Sequence, residues 1–204
     1  MLDRLAAAVL LLVLSPLLAV IAAWILLEDG RPVLLAQDRV GKGGRRFRMV
    51  KFRTMVPNAL ELAHELTDDP YGVVPDDPRI TRPGRFLRRT SLDELPQLWN
   101  VLAGEMSLVG PRPDLAEQAA HYSERDRGRL AVEPGITGWS QVNGREAVTW
   151  PERIEQDLWY VENWSLLLDL RILVRTFTQL GREEERPVED TVNIERARTR
   201  AGDR

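Results

Sequence analysis

Leu5–Leu27 reads LAAAVLLLVLSPLLAVIAAWILL, 23 residues without a charge, with Ser15 as the polar side chain. As a helix the run extends about 35 Å at 1.5 Å per residue, against a hydrocarbon core of roughly 30 Å. It is longer than a usual signal-peptide core. Its leading segment, Met1–Arg4, has no net positive charge, and no small-x-small cleavage site closes it. The segment is therefore read as a retained membrane element, residues 1–28. Ser15-Pro16 stands at its centre. Proline removes one backbone hydrogen bond and crowds the preceding turn, which predicts a kink. Two topologies follow: a kinked helix that crosses the bilayer, the default at this length, or a re-entrant hairpin with arms of about 16 Å. Composition does not choose between them.

Outward from this run the chain turns basic. Arg31–Arg53 carries eight Lys or Arg against one acid, Asp38. Basic residues beside an apolar segment stay cytoplasmic and meet anionic lipid, which puts the polar remainder on the cytoplasmic face. At 204 residues the chain is one ordinary domain plus an anchor. It has no Cys, which excludes disulfides, thiolate metal sites and a Cys nucleophile, and only two His, His64 and His121. The net charge of −3 argues against a nucleic-acid partner. Arg, Lys and carboxylates remain as the chemical groups.

The rest reads as mostly helical with a small β element, an α+β class. Pro32–Ala36 and Phe47–Phe52 are extended, and the Gly41–Gly44 turn between them predicts a hairpin. That turn lacks the phosphate-loop spacing. Ala59–Leu66 reads as a short helix and Asp68–Pro78, with four Asp and three Pro, as a loop. Leu115–Arg129 reads as a charged helix, Pro134–Gly144 as a Gly-rich loop and Pro151–Val161 as a helix. Ser165–Leu180 is amphipathic, with Leu166, Leu170, Leu173, Phe177 and Leu180 on one stripe. Trp150, Trp159, Tyr160 and Trp164 precede it, and suit either a headgroup layer or an ordinary core. Residues 29–180 form the polar domain, and 181–204 read as a flexible charged tail.

The chemistry concentrates in residues 79–113. Five Arg (Arg79, Arg82, Arg85, Arg88, Arg89) fall within eleven residues that hold no acid, and Asp93-Glu94 follow. Arg forks bind phosphate oxygens. Paired carboxylates hold Mg²⁺ together with substrate phosphates. The combination suits phosphoryl transfer. The competing structural account is a capping box, Ser91-x-x-Glu94, at a helix start. Pro111-Arg112-Pro113 locks the backbone around one Arg, as a presented guanidinium or as a rigid turn. Lys51 and Arg53 fall on one face of a strand. Gly135–Arg145 is a loop that could hold a nucleotide or sugar, or a complex turn.

Taken together the blocks are recognisable. Lys51–Met55 (KFRTM), Asp77–Arg82 (DPRITR), Ser91–Gln97 (SLDELPQ), Met106–Pro113 (MSLVGPRP), Gly135–Trp139 (GITGW), Gln141–Arg145 (QVNGR) and Tyr160–Ser165 (YVENWS) occur in order. In these the chain resembles the bacterial sugar transferase family, the monotopic polyprenyl-phosphate phosphoglycosyl transferases, over about residues 1–180. The resemblance implies transfer of a sugar 1-phosphate from a UDP-sugar to undecaprenyl phosphate, with UMP leaving. It implies a ping-pong course through a phosphosugar on Asp93, with Glu94 beside it in Mg²⁺ binding or proton transfer. Asp93 and Glu94 are thus the expected catalytic pair and metal ligands. Arg112, between Pro111 and Pro113, is the expected contact for phosphate or the uridine end, and Lys51, Arg88 and Arg145 are further phosphate partners. Ser15-Pro16 match the break of a re-entrant membrane helix, which reverses the topology default. The chain resembles the minimal catalytic form, at the cytoplasmic face of a bacterial inner membrane, with association of copies left open. The alternative of another class is a membrane-anchored lipid-binding or scaffold protein, which leaves Asp93-Glu94 and Pro-Arg-Pro unused.

Overall fold

The computed structural model describes residues 1–59, 61–62, 77–143 and 149–179. They are mostly helical, with two small two-stranded sheets. They fall into two compact units. The first holds residues 1–37 and 48–108, the second residues 38–47 and 109–179. The β-hairpin of β1 (Leu34–Val40) and β2 (Arg46–Phe52) has its open end in the first unit and its tip in the second. The tip is a 3₁₀ turn over Lys42–Gly44, with Gly43 and Gly44 at positive φ.

The first unit is organised by α1, Leu2–Glu28. Among the described residues it is the one helix long and apolar enough to cross a membrane. It stays helical through Pro16. The missing Pro16 N–H would have served Leu12 O. Ser15 Oγ donates to that carbonyl instead, at 2.8 Å, which repairs the gap proline leaves. One face, at Ile21 and Ile25, packs on Phe52 and Leu87; Leu5, Leu12, Val13, Val20 and Leu27 are open.

Both ends of α1 are tied to this unit. Near the N-terminus Ser107 Oγ donates to Asp3 Oδ2. Beyond the C-terminus the buried Arg53 donates through Nη2 to Asp29 O at 2.7 Å and Gly30 O at 2.9 Å, and through Nη1 to Arg31 O at 3.4 Å. Arg53 is thereby a cap for the helix exit. Of the expected Lys51/Arg53 strand face, Lys51 is half-buried on β2 and Arg53, just past its end, serves this cap.

α2 (Arg82–Thr90) starts where Thr81 Oγ1 accepts from Gly84 N at 3.1 Å. Gly84 lies so close to Thr54 that a Cβ would stand 2.0 Å from Thr54 O. α3 (Leu98–Ala103) carries the buried Asn100, which bonds β2 as a further strand would. Its Oδ1 accepts from Val50 N at 3.0 Å, and its Nδ2 donates to Arg48 O at 2.8 Å and Glu105 Oε2 at 2.7 Å.

In the second unit β4 (Gly135–Thr137) pairs with the end of β3 (Ser107–Val109). The pairing is close because it is glycine on glycine: a Cβ on Gly135 would stand 2.1 Å from Gly110 N. The Gly-rich stretch expected as a loop is thus a strand followed by α5 (Trp139–Asn143), its glycines serving backbone approach.

The helix expected over Leu115–Arg129 is broken. It is α4 (Ala116–Ala120) and a 3₁₀ segment, Asp126–Ala131. Ser123 N donates to Asp126 Oδ2 at 3.0 Å and Asp126 N to Ser123 Oγ at 3.2 Å. These local bonds compete with a continuous helix. α6 (Trp150–Glu162) opens on a Thr149/Glu152 capping box.

α7 (Leu166–Gln179) buries Leu168 and Ile172. The stripe read from the sequence is largely the other face: Leu166, Leu170 and Phe177 are open, Phe177 at 73%. Trp159 and Trp164 are also open, whereas Tyr160 is buried and donates to Asp169 Oδ1 at 2.8 Å. Leu180, the tail 181–204, most of the Ala59–Leu66 helix and the loop up to residue 76 lie outside the described residues.

Candidate active site

Asp93 and Glu94 stand in a 3₁₀ segment, Leu92–Gln97, between α2 and α3. The chain enters it through Ser91 at φ +56, a left-handed turn that ends α2. The expected capping box is not formed, because Ser91 makes no side-chain cap bond. Pro96 fits the short segment, and the α-helical turns begin only at Leu98. Asp93 is buried, at 8% exposure, and Glu94 is half-buried. A carboxylate held at low exposure on a tight turn is restricted in rotamer and hydration, as a positioned nucleophile must be.

The acid-free Arg run divides into two roles. Arg79 is buried against Asp77, donating from Nε at 2.9 Å and from Nη2 at 2.7 Å. That pair holds Asp77 below the usual carboxylate range, its hydrogen bonds outweighing burial, and raises Arg79. Arg79 therefore braces the chain before α2. Arg88 on α2 is half-buried, and Arg82, Arg85 and Arg89 are exposed. Lys51, Arg88, Asp93 and Glu94 all belong to the first unit.

Pro111-Arg112-Pro113 belongs to the second unit. Both prolines are buried and Arg112 is half-buried. Each carbonyl of this turn and of the next residue has a donor. Pro111 O accepts from Gly135 N at 2.9 Å, Arg112 O from Arg129 Nη2 at 2.8 Å, Pro113 O from Arg39 Nη1 at 3.2 Å, and Asp114 O from Val40 N at 3.0 Å. The rigid turn expected from two prolines is held by the fold as well. Arg145 lies outside the described residues.

Three charged residues the sequence reading passed over are buried behind this turn: Asp114, Arg129 and Asp157. Arg129 bridges the two carboxylates. Burial pushes Asp114 up, but the Arg129 charge and the Tyr122 hydroxyl outweigh it and hold it low. For Asp157 burial prevails and its carboxyl is raised. A sequence signal for Asp157 exists: it falls on the Ile154–Leu158 face of α6, where an acid is out of place.

A model of the family described as "Bacterial sugar transferase" matches residues 1–183. The chain belongs to the bacterial sugar transferase family. This transferase is 45% identical over 174 residues to the uncharacterized sugar transferase EpsL of Bacillus subtilis, covering 85% of this chain and 82% of EpsL. It is 43% identical over 184 residues to an undecaprenyl-phosphate galactose phosphotransferase of Salmonella typhimurium. It is 44% identical over 187 residues to a UDP-glucose:undecaprenyl-phosphate glucose-1-phosphate transferase of Xanthomonas campestris. In both cases 85% of this chain is covered, against 38% and 37% of the relative. The bacterial sugar transferase thus spans most of EpsL and under two fifths of the two larger enzymes. Among its described residues no group of three or more His, Cys, Asp or Glu is placed to hold a metal. Mg²⁺ needs only one or two protein carboxylates when substrate phosphates complete its shell, so the adjacent Asp93 and Glu94 fit that ion.

Proposed function

We propose that this bacterial sugar transferase moves a sugar 1-phosphate from a UDP-sugar to undecaprenyl phosphate and releases UMP, the first membrane step of surface polysaccharide assembly. The observation that carries the reading is the buried Asp93 beside Glu94 in the unit that also carries the open apolar α1. A lipid-linked phosphate presents its reactive group at the headgroup layer, and a nucleophile on a unit anchored there meets it. Relatives named for undecaprenyl-phosphate transfer support the substrate pair.

In the first half-reaction an Asp93 carboxylate oxygen attacks the sugar-bearing phosphorus of the donor. The bond between the two phosphorus centres' bridging oxygen and that phosphorus breaks, and UMP takes the electron pair. In the second, an oxygen of undecaprenyl phosphate attacks the same phosphorus and the Asp93 carboxylate leaves. The product is the polyprenyl diphosphate sugar. Splitting one displacement into two is the gain of covalent catalysis. Glu94 would hold Mg²⁺ with Asp93 or accept a proton. Bound there, Mg²⁺ would neutralise diphosphate charge. Lys51 and Arg88, with Arg112 and Arg145, are the proposed phosphate partners.

We read α1 as re-entrant, with the polar domain at the cytoplasmic face of the inner membrane. The ties of Asp3 and Asp29 to one unit support this. A spanning helix would carry its two ends to opposite faces of the bilayer; the turn back is proposed at Ser15-Pro16, where a proline bends a helix without ending it. The open apolar face of α7, with Trp159 and Trp164, suits a position within the headgroup layer.

The test is UMP release by the full chain in nanodiscs, from a panel of UDP-sugars with undecaprenyl phosphate and Mg²⁺. Asp93→Asn should lower the rate by about a thousandfold or more. Undiminished UMP release in that variant would refute the covalent course.

A further inference from the structure

The cluster of Arg129, Asp114 and Asp157 has no part in the reaction as written above. Arg129 is 2% exposed and Asp157 0%. Arg129 Nη1 donates to Asp114 Oδ2 and, at 2.6 Å, to the Tyr122 hydroxyl; Nη2 donates to Asp157 Oδ2 and, at 2.8 Å, to Arg112 O. Four Nη hydrogens meet four acceptors; the Nε hydrogen has no partner but is buried away from solvent, out of a substrate's reach. No Nη hydrogen remains for a substrate phosphate, so Arg129 is not a substrate ligand.

Its acceptors are themselves held. Tyr122 Oη donates to Asp114 Oδ2 at 2.6 Å, and Ser140 Oγ donates to Asp157 Oδ1 at 2.8 Å. Trp150 Nε1 reaches Asp114 Oδ2 at 3.3 Å. The cluster therefore joins the residue after the Pro-Arg-Pro turn to α5 and α6. Two carboxylates and a guanidinium are an expensive way to fill a core, since apolar residues of the same volume are often as stable or more so. Such a cluster is better suited to fixing a geometry. The bond that leaves it toward the turn ends on the carbonyl of Arg112.

We propose that Arg129, oriented by Asp157 and Tyr122, is a positioning residue for Arg112: it fixes the backbone from which Arg112 engages the nucleotide diphosphate of the donor. This rests on the reading that Arg112 contacts the donor. Lysine has one nitrogen with three donors and cannot serve four splayed acceptors. Arg129→Lys therefore keeps the charge and removes the geometry.

The experiment is a double-mutant cycle on the full chain in nanodiscs, with UDP-glucose or UDP-galactose, whichever turns over. KM for the donor and kcat of UMP release are measured for wild type, Arg112→Ala, Arg129→Lys and the double variant. Arg129→Lys is expected to raise KM by about tenfold and to leave kcat within about threefold. On the Arg112→Ala background it should raise KM no further, because non-additivity marks a residue that acts through its partner. A raised KM in Arg112→Ala with an unchanged KM in Arg129→Lys overturns the proposal alone. So do effects that multiply in the double variant, or a loss confined to kcat and melting temperature. An unchanged KM in Arg112→Ala refutes the underlying reading of Arg112, and the proposal with it. If Arg129→Lys does not fold, Tyr122→Phe replaces it in the cycle. It deletes one acceptor of Nη1, keeps the ring, and should raise KM by about threefold, again only when Arg112 is present.

Discussion

Replacing Arg53 by Met should detach the exit of α1 from the first unit. Two of its bonds are short, to Asp29 O and Gly30 O at 2.7 and 2.9 Å; the third, to Arg31 O, is 3.4 Å and counts for little. A hydrogen bond from a charged donor contributes about 1.5–3 kcal/mol, so the two short bonds bound the loss at about 3–6 kcal/mol. Asp29 and Gly30 are half-buried, and water can take up part of the lost bonding, which places the expected loss near the lower bound, about 3 kcal/mol. Met keeps the aliphatic packing of the buried stem, so the change isolates the guanidinium. For a chain of this size 1 kcal/mol moves the midpoint by about 2–4 °C, giving a fall of about 6–12 °C. Thermal unfolding in nanodiscs, followed by circular dichroism, reads it. Arg53→Lys should recover about half or less, because one ammonium cannot span the carbonyls that the fork spans. A Met variant within about 1 kcal/mol of wild type, or a Lys variant equal to wild type, would refute the capping role of Arg53.

The buried carboxylates predict opposite pH slopes. Asp77 and Asp114 are held below their ordinary value of 3.8, so their stabilisation is present above that pH and is lost as pH falls through the depressed values. Asp157 is raised, so its contribution is full below 3.8 and is lost as pH rises through the raised value. Denaturation from pH 3 to 7 should show the stability gap between wild type and Asp77→Asn closing in acid, and Asp157→Asn gaining on wild type as pH rises. Gly84→Ala should destabilise by about 3 kcal/mol or more despite the better helix propensity of alanine, about 1 kcal/mol, because the new methyl would meet Thr54 O; urea titration measures it. The chain lacks Cys, so single Cys residues at Leu2 and Gly30 can be labelled cleanly in spheroplasts and inverted vesicles. Both should react from the cytoplasmic side, and labelling from opposite sides would refute the re-entrant reading.

Much of this protein is legible along the chain, because the deciding signals are local. An uncharged run of 23 residues and a Gly-rich turn between extended segments each act through neighbouring residues. The adjacency of Asp93 and Glu94 is likewise a property of sequence. What the sequence misreads are balances between local and distant terms. Leu115–Arg129 has helical composition, but a Ser123–Asp126 exchange of bonds interrupts it. Gly135 and Gly138 look like loop residues and instead permit contact with Gly110.

Only the tertiary structure decided which charges are buried as braces inside the fold. Arg53 and Arg79 look equivalent to Lys51 and Arg88 in the sequence, yet one caps a helix 23 or more residues upstream and the other is buried against Asp77. Arg129 and Asp157 are 28 residues apart and carry no motif, but they meet beneath Arg112. Charge is written in the chain; whether burial and partners consume it depends on which distant groups the fold brings within a few ångströms. That is why the long apolar helix and the adjacency of Asp93 and Glu94 could be read from the sequence and the support of the Pro-Arg-Pro turn could not.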